Sequence, residues 1–424
     1  MKTRTAIPDE TSVPDRAPAR PSLSGRSPGR TAIQGRPADP AIPLSLYLHF
    51  PWCVRKCPYC DFNSHALRGE IPEDAYVDAL LRDLDFELRE LPDARPLTSI
   101  FMGGGTPSLF SDRAIGRVLD GVNRRLPFAP DIEITLEANP GTAEAAHFAG
   151  YVAAGVNRLS IGVQSLNDAH LKRLGRIHDR GEAIAAYQLA RRAGFANVNL
   201  DLMYALPQQT PDEAAADLRA ALALAPEHLS YYQLTLEPNT EFGARPPAVP
   251  DDEQAWDMQL QGQALLAAHG YAQYEVSAYA QPDRRARHNL NYWRFGDYLG
   301  IGSGAHGKRS LADDAPTGDG LQVERRARHK HPRTYLERAG DDGAVQERRR
   351  VTAAELPLEF LMNALRLNDG FAIADYRART GLDWAALAPA ATARARGLIE
   401  ERDGHVRPTE LGHRHLNGLL GLFL

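Results

Sequence analysis

Short apolar stretches and helix-like stretches alternate six times after Pro43. The apolar stretches are rich in Val, Ile, Leu and Tyr, and amphipathic segments such as 74–90 separate them. This alternation restricts the chain to an α/β fold, because strands joined through helices pair in parallel. Six such units predict a partial (β/α)6 barrel that binds ligands beyond the carboxyl ends of its strands. The predicted strands are Leu44–Phe50, Thr98–Met102, Ile132–Glu137, Arg158–Val163, Asn197–Met203 and Leu229–Leu236.

Composition divides the chain into four segments. Residues 1–43 are rich in Pro and Arg and have no aromatic side chain, so they bury too little apolar surface to fold. We predict that they form a disordered leader. Residues 44–280 contain the barrel, 281–350 form an extension that includes a surface loop, and 351–424 form a smaller C-terminal domain.

The last two segments yield further predictions. Residues 308–350 combine Asp, Gly and Pro with the basic run 325–333, which we interpret as a solvated loop rather than a nucleic-acid patch. From Thr352, three helices precede a turn at 402–405 and a final apolar helix, a plan that resembles a winged-helix module. This domain is not notably basic, so we expect structural support or docking rather than DNA binding.

Charge and hydropathy restrict the cellular setting. The chain has 424 residues, 49 basic and 54 acidic, so no global charge favours nucleic acid or an anionic membrane. The sequence has no apolar stretch long enough to cross a bilayer and no signal-peptide core. We therefore expect a cytoplasmic protein.

All three cysteines lie within eight residues, directly after the first predicted strand, as Cys53, Cys57 and Cys60. Three thiolates on a [4Fe–4S] cluster leave one iron open to an outside molecule. Zinc is the alternative, with His49, Asp61 or His65 as a fourth ligand, although structural zinc sites usually draw their ligands from two separated pairs. A disulfide is disfavoured by the odd count and the short loops.

Polar residues follow the next predicted strands. Gly103–Pro107 has the sequence GGGTP, where missing side chains let the backbone approach a ligand. Glu137, Gln164 and Asp201 stand at later strand ends. Three polar side chains on one rim can orient a ribose and an amino acid.

The spacing C-x3-C-x2-C and the glycine run resemble the radical S-adenosylmethionine (SAM) superfamily, in particular its coproporphyrinogen oxidase-like branch, over residues 44–424. The resemblance implies a [4Fe–4S] cluster on the three cysteines and SAM as cofactor, whose sulfonium bond is cleaved by an electron from the cluster. It also implies which side chains would contact SAM. Tyr47 would stack near it, and the residues that would hold it are Gly104, Gly105, Thr106, Glu137, Gln164, Arg176 and Asp201.

Two features separate the subfamilies of this branch. Phe62 stands where oxygen-independent coproporphyrinogen III oxidases have a further cysteine, and it follows the pattern of HemW-type heme chaperones. The segment 288–293, HNLNYW, resembles the H-N-x-x-Y-W motif of those chaperones and makes His288 the candidate heme ligand. The glycine-rich segment 300–307 supplies His306 as a second candidate. The alternative for His288 is a turn cap beside a buried Trp293.

The resemblance implies a heme chaperone that carries a cluster and SAM and passes heme to acceptor proteins, with a membrane-associated acceptor left open. An electron donor is a further implied partner, and nucleic acid is not. No catalytic residue is assigned, and whether SAM is cleaved during function is left open. The alternatives are an oxygen-independent coproporphyrinogen III oxidase and a purely structural zinc protein.

Overall fold

The computed structural model describes residues 42–91, 95–141, 145–312 and 321–424. Apart from its last two residues, the predicted disordered leader lies outside this part of the chain, and its prediction stays untested. The described residues all belong to one of the two units into which the chain divides, Gln34–Leu424.

The described strands are β1 Leu44–Phe50, β2 Trp52–Cys53, β3 His65–Ala66, β4 Leu97–Gly104, β5 Phe128–Ala138, β6 Arg158–Gln164, β7 Val198–Tyr204, β8 His228–Gln233, β9 Ala272–Glu275, β10 Ala278–Ala280, β11 Asp297–Ile301, β12 His306–Ala312, β13 Leu321–Arg328, β14 Val345–Val351, β15 Phe371–Ala372, β16 Ile399–Arg402 and β17 His405–Pro408. Twelve of them form one large mixed sheet, in the order β14-β13-β12-β11-β1-β4-β5-β6-β7-β8-β10-β9. The six predicted strands correspond to β1 and β4–β8, which pair in parallel, and β11 adds a seventh parallel strand on the other side of β1.

Helices connect the strands, and several begin at capping boxes. Asp179, Thr210 and Asp251 each accept a hydrogen bond from the backbone three residues on, where a Glu or Gln side chain bonds back. The described α-helices are Glu73–Arg89, Asp112–Asn123, Phe148–Ala153, Asp168–Arg173, Arg180–Ala193, Pro211–Leu222, Glu241–Ala244, Asp252–Ala268, Arg287–Trp293, Pro332–Arg338, Leu356–Ala364, Ile373–Thr380, Ala388–Ala395, Glu410–Arg414 and Leu416–Leu420.

The first strand shows why the sheet forms the core. Leu44, Leu46, Leu48 and Phe50 are completely buried within the main apolar cluster. Burying each such side chain contributes roughly 1.5–3 kcal/mol. The cysteine loop follows this strand at once, so a fully packed strand of the sheet fixes its position. The predicted α/β class is confirmed.

The prediction of a solvated loop between 308 and 350 differs from the structure. Most of this segment, as far as it is described, forms β12, β13 and β14, and the first four residues of the basic run, 325–328, lie in β13. Arg328 is buried because Nε donates to Asp83 Oδ1 over 2.9 Å and Nη2 bonds Glu87. Arg326 also pairs with Glu87. Both acids lie on the helix Glu73–Arg89, so long-range ion pairs turn a charged segment into a buried strand.

The C-terminal residues form a second apolar core around helices and the small sheet β15-β17-β16. The hairpin β16–β17 turns at Asp403 and Gly404, both with positive φ, in the place of the predicted turn. The final apolar segment forms two short helices instead of one, and Leu419 and Phe423 pack into this core. No helix among the described residues is both long and apolar enough to span a membrane.

Candidate functional site

The three cysteines lie on a loop held by backbone hydrogen bonds at the carboxyl end of β1. Strands β2 and β3 pair across the ends of the loop, and Leu67 N donates to Cys53 O over 2.8 Å. Within the loop, Cys60 N donates to Cys57 O over 3.1 Å. All three thiols are free and half-buried.

Side chains form hydrogen bonds with all three cysteine sulfurs, including a contact of 3.8 Å between Ser64 Oγ and Cys60 Sγ. Thr106 Oγ1 lies 3.4 Å from Cys53 Sγ, and Arg176 Nη1 lies 3.4 Å from Cys57 Sγ. Burial raises the pKa of the Cys53 and Cys60 thiols, so both are protonated near neutral pH before any metal binds. A metal group would therefore release protons as it takes these ligands.

Asn139 joins the two sulfur donors, and the sequence analysis did not assign it to the site. Its Nδ2 donates to Thr106 Oγ1 over 2.8 Å, and its Oδ1 accepts from Arg176 Nη2 over 2.6 Å. Arg176 Nη2 also donates to Gly162 O over 2.7 Å. Asn139 follows Glu137 by two residues at the end of β5, and this spacing was the available signal for it.

The glycine run packs so tightly that larger residues cannot replace it. A Cβ on Gly105 would lie 2.6 Å from Trp52 O and 2.7 Å from Phe50 O, and Gly105 N donates to that same Phe50 carbonyl. Gly104 has a φ of 108°, and a Cβ there would meet the His49 ring. The run therefore brings β4 directly against the cysteine loop.

A cavity of about 450 Å³ connects the cysteine loop with the barrel interior. Its size is typical of small-molecule sites. The structure brings most of the predicted site residues into this one lining. They are Cys53, Cys57, Cys60, Gly104, Gly105, Thr106, Glu137, Gln164, Arg176 and Asp201.

Two half-buried carboxyl groups, those of Glu137 and Asp201, line the cavity inside the barrel. Burial, and secondarily the charge of Asp201, raises the pKa of Glu137 to about 8, although Gly104 N donates to its Oε2 over 3.1 Å. Burial also raises the pKa of Asp201, which accepts from Asn199 over 2.8 Å. Glu137 is therefore largely neutral at pH 7 and can donate a hydrogen bond to a ligand.

Gln164 has a backbone conformation that non-glycine residues rarely adopt. Its φ is 69°, and Tyr232 OH donates to its Oε1 over 2.8 Å. Strain of this kind persists only where the surroundings enforce it, and it concentrates at binding sites. The conformation places Gln164 in the cavity lining.

Tyr47 is a predicted site residue that does not line this cavity. Its hydroxyl lies 2.8 Å from His49 Nδ1, and its ring stacks on Phe101 with 6.0 Å between centroids. It therefore supports the side chains beneath the site. Its predicted stacking near SAM stays a prediction that this arrangement does not favour.

His288, the predicted heme ligand, faces the barrel. It is 6% exposed, its ring stacks on Phe101 at 4.2 Å, and its Nδ1 lies 3.1 Å from Glu133 Oε1. Burial lowers its pKa, so the ring is neutral and donates Nδ1–H to the carboxylate. It lines neither the cavity of the cysteine loop nor the cleft described below. Its role as heme ligand stays a prediction, as does the alternative of a turn cap beside a buried Trp293. In the structure the buried ring is bonded to a side-chain carboxylate.

His306, the second candidate, is exposed on β12. It lines a shallow cavity of about 290 Å³ together with Tyr298, Arg325 and Arg349. This cavity is separate from the cysteine loop. The structure therefore does not bring His288 and His306 together.

The arrangement of the side chains around the cysteines favours an iron–sulfur cluster over a single zinc ion. In the described ranges, no group of three or more His, Cys, Asp or Glu side chains is arranged to hold a single metal ion. The three cysteines instead line one shared cavity, and Thr106 and Arg176 donate to two of their sulfurs. Hydrogen bonds to sulfur are a feature of iron–sulfur sites. The residues present fit a cluster with one open side.

Comparison with known proteins places this geometry in a family. The Radical SAM superfamily matches residues 47–221, and the HemN C-terminal domain matches residues 351–414. Heme chaperone HemW of Escherichia coli is 51% identical over 383 residues, which cover 90% of this chain and 98% of that protein. This chain belongs to the HemW family of heme chaperones. This confirms the prediction of a heme-chaperone family, and it confirms the choice of that family over the coproporphyrinogen III oxidases.

Two further proteins, with lower sequence identity, are similar to this chain. A Bos taurus protein named radical S-adenosyl methionine domain-containing protein 1, mitochondrial, is 39% identical over 79% of this chain and 75% of its own length. The solved structure of E. coli coproporphyrinogen III oxidase (HemN), described as a radical SAM enzyme, has a TM-score of 0.74. It is 25% identical, and the match covers 91% of both chains. The HemW family thus shares its fold with an oxidase.

Proposed function

We propose that this protein binds heme and transfers it to acceptor proteins, and that it carries a [4Fe–4S] cluster with exchangeable SAM. One observation carries the choice of a carrier over an oxidase: Phe62 lines the cavity of the cysteine loop and is 58% exposed. The resemblance described above places a further cysteine of the oxidases at this position. Here the position offers an exposed apolar ring and no thiol.

The cysteine loop would hold the cluster. Cys53, Cys57 and Cys60 supply three thiolates and leave one iron for SAM. When bound, this pair supplies one-electron reduction of the SAM sulfonium.

The cavity residues would orient SAM. Gly104 and Gly105 supply backbone groups at close range, while the neutral Glu137 carboxyl donates a hydrogen bond and Asp201 accepts one. Arg176 places a fixed positive charge beside Cys57. Together with Gln164 and Thr106, these residues form a lining that replaces water around the ligand.

The proposed binding partners follow from the proposal that this protein carries heme. Heme and heme-acceptor proteins are the expected partners, with a membrane-associated acceptor and a separate electron donor as further proposals. The unpaired cysteines fit a reducing compartment, and we propose the cytoplasm.

A product assay separates the carrier from the oxidase. Anaerobic, cluster-loaded protein is incubated with coproporphyrinogen III, SAM and a reductant, and porphyrin products are analysed after oxidation. We expect no protoporphyrin and, in a parallel titration, saturable heme binding with a Soret band. Decarboxylated product would contradict the proposed function. The Phe62→Cys variant serves as a matched test, because one added thiol does not rebuild an oxidase site and we expect it to stay inactive.

A further inference from the structure

The helix Arg287–Trp293, which carries the HNLNYW segment, presents two chemically different faces. His288 and Tyr292, four residues apart, face the barrel, where Tyr292 packs edge-on against Tyr298 at 4.7 Å. Arg287, Leu290 and Arg294 follow the i, i+3, i+7 spacing and line a cleft on the other face. The helix therefore has an outer face that lines the cleft, and His288 does not lie on that face.

This cleft has a volume of about 440 Å³ and lies between the barrel and the C-terminal helices. Leu290 and Trp293 supply apolar surface from the helix, and Leu367, Phe360 and Phe371 supply it from the C-terminal side. Arg366 covers one face of the Trp293 ring, with its guanidinium carbon 4.4 Å from the ring centroid. This volume, with its apolar and basic lining, is in the range of sites that bind small molecules.

The charges in the cleft favour an anion. Four arginines and two aspartates line it. Arg285 is paired with Asp369 over 2.7 Å and Arg287 with Asp131, whereas Arg294 is exposed and makes no ion pair within the described ranges. An arginine that is free to form paired hydrogen bonds is suited to a carboxylate. Arg294 is therefore available to bind a carboxylate group of the ligand.

One imidazole reaches the cleft. His405 lines it from the first position of β17, directly after the hairpin turn at Asp403 and Gly404. Its position is fixed because β17 pairs with β15, with His405 opposite Ala372, and because Ile373 N donates to Gly404 O over 2.8 Å. His405 is exposed, so it can bind a metal without any rearrangement of the core.

We propose that heme binds in this cleft, with its ring on Leu290 and Trp293, a propionate on Arg294 and its iron on His405. The proposal rests on the proposed function, since it specifies the site at which the cargo is carried. It assigns the outer face of the HNLNYW helix to heme and the inner face, with His288, to packing. An exposed iron ligand on a short hairpin also leaves the cargo accessible to an acceptor.

The test is a heme titration of the full-length, cluster-loaded protein, followed by the Soret band. We expect the His405→Ala variant to bind heme at least tenfold more weakly and to shift the Soret maximum, while His415→Ala, an exposed histidine of the same domain, matches wild type. We expect Arg294→Glu to weaken binding and Arg396→Glu, its exposed control outside the cleft, to leave it unchanged. Circular dichroism and iron content confirm that each variant is folded.

A second titration uses iron-free protoporphyrin IX in place of heme. It should bind more weakly than heme, be insensitive to His405→Ala and remain sensitive to Arg294→Glu, because it keeps the propionates and lacks the iron. Normal heme binding by His405→Ala with loss in His288→Ala would overturn the cleft site and leave the carrier function standing. Absence of heme binding by wild type would overturn the proposed function itself.

Discussion

His288 Nδ1 lies 3.1 Å from Glu133 Oε1, so the HNLNYW helix is anchored to the barrel strand β5 by a buried hydrogen bond. The same carboxylate oxygen accepts from Arg287 N over 2.9 Å. Although burial alone would raise the pKa of Glu133, these bonds and the charge of Arg158 lower it to about 2. Glu133 therefore acts as a charged cap that holds the start of the helix.

We expect Glu133→Ala to lower the free energy of unfolding by about 3 kcal/mol, because it leaves His288 Nδ1 and backbone donors of the helix unpaired in the interior. Chemical denaturation measures this change. Glu253→Gln, on an exposed helix surface, is the control and should change stability by less than about 0.5 kcal/mol. A Glu133→Ala protein as stable as the control would show that the anchor is dispensable.

The buried ion pairs of β13 yield a second prediction. Arg328→Met should destabilise the protein by about 3–5 kcal/mol, because it removes the arginine that is paired with the buried Asp83 and one of the arginines that are paired with Glu87. The matched control is Arg333→Met, an exposed arginine five residues along the chain. Thermal unfolding of both variants checks this prediction, and equal melting temperatures would contradict it.

Arg176 links stability to the cysteine loop. Arg176→Lys loses the bond to Cys57 Sγ and the bridge to Asn139 and Gly162, so we expect a stability loss of about 1–3 kcal/mol. Loss of a donor to sulfur should also lower the reduction potential of the bound cluster. A redox titration followed by paramagnetic resonance measures this shift, with the exposed Arg173→Lys as control. An unchanged potential would show that Arg176 does not influence the cluster.

Glu137 makes stability depend on pH. Its pKa of about 8 in the folded protein lies above the ordinary value of 4.5, so the folded state binds a proton that the unfolded state releases. Stability should therefore fall between about pH 5 and about pH 8, by about 1 kcal/mol per pH unit. We expect the melting temperature of the SAM-free protein to fall less steeply for Glu137→Gln than for wild type over this range. Parallel slopes would contradict the assignment.

The sequence predicted the barrel strands well because their signal is local. The apolar run Leu44–Phe50 matches β1, and the polar residues that follow successive strands meet in one cavity because parallel strands end at one edge. Gly104, Glu137 and Asp201 were found in this way.

Other features depend on partners distant in the sequence. The basic stretch of β13 looks like solvent-exposed chain until Asp83 and Glu87, more than 200 residues earlier, pair with Arg328. The direction in which His288 points is equally non-local, because Glu133 of β5 determines which face of its helix turns inward. A motif specifies the residues present, and packing decides which face of the motif meets a ligand.

We propose above all that three cysteines of one loop hold a [4Fe–4S] cluster with an open iron. The most direct test is paramagnetic resonance of anaerobically reconstituted, reduced protein with and without SAM, with iron and sulfide determined on the same sample. We predict about four irons and four sulfides per chain, a cubane signal that changes when SAM is added, and loss of that signal in Cys53→Ser, Cys57→Ser and Cys60→Ser. Colourless protein with one zinc per chain, or a cluster signal that survives replacement of all three cysteines, would contradict the account.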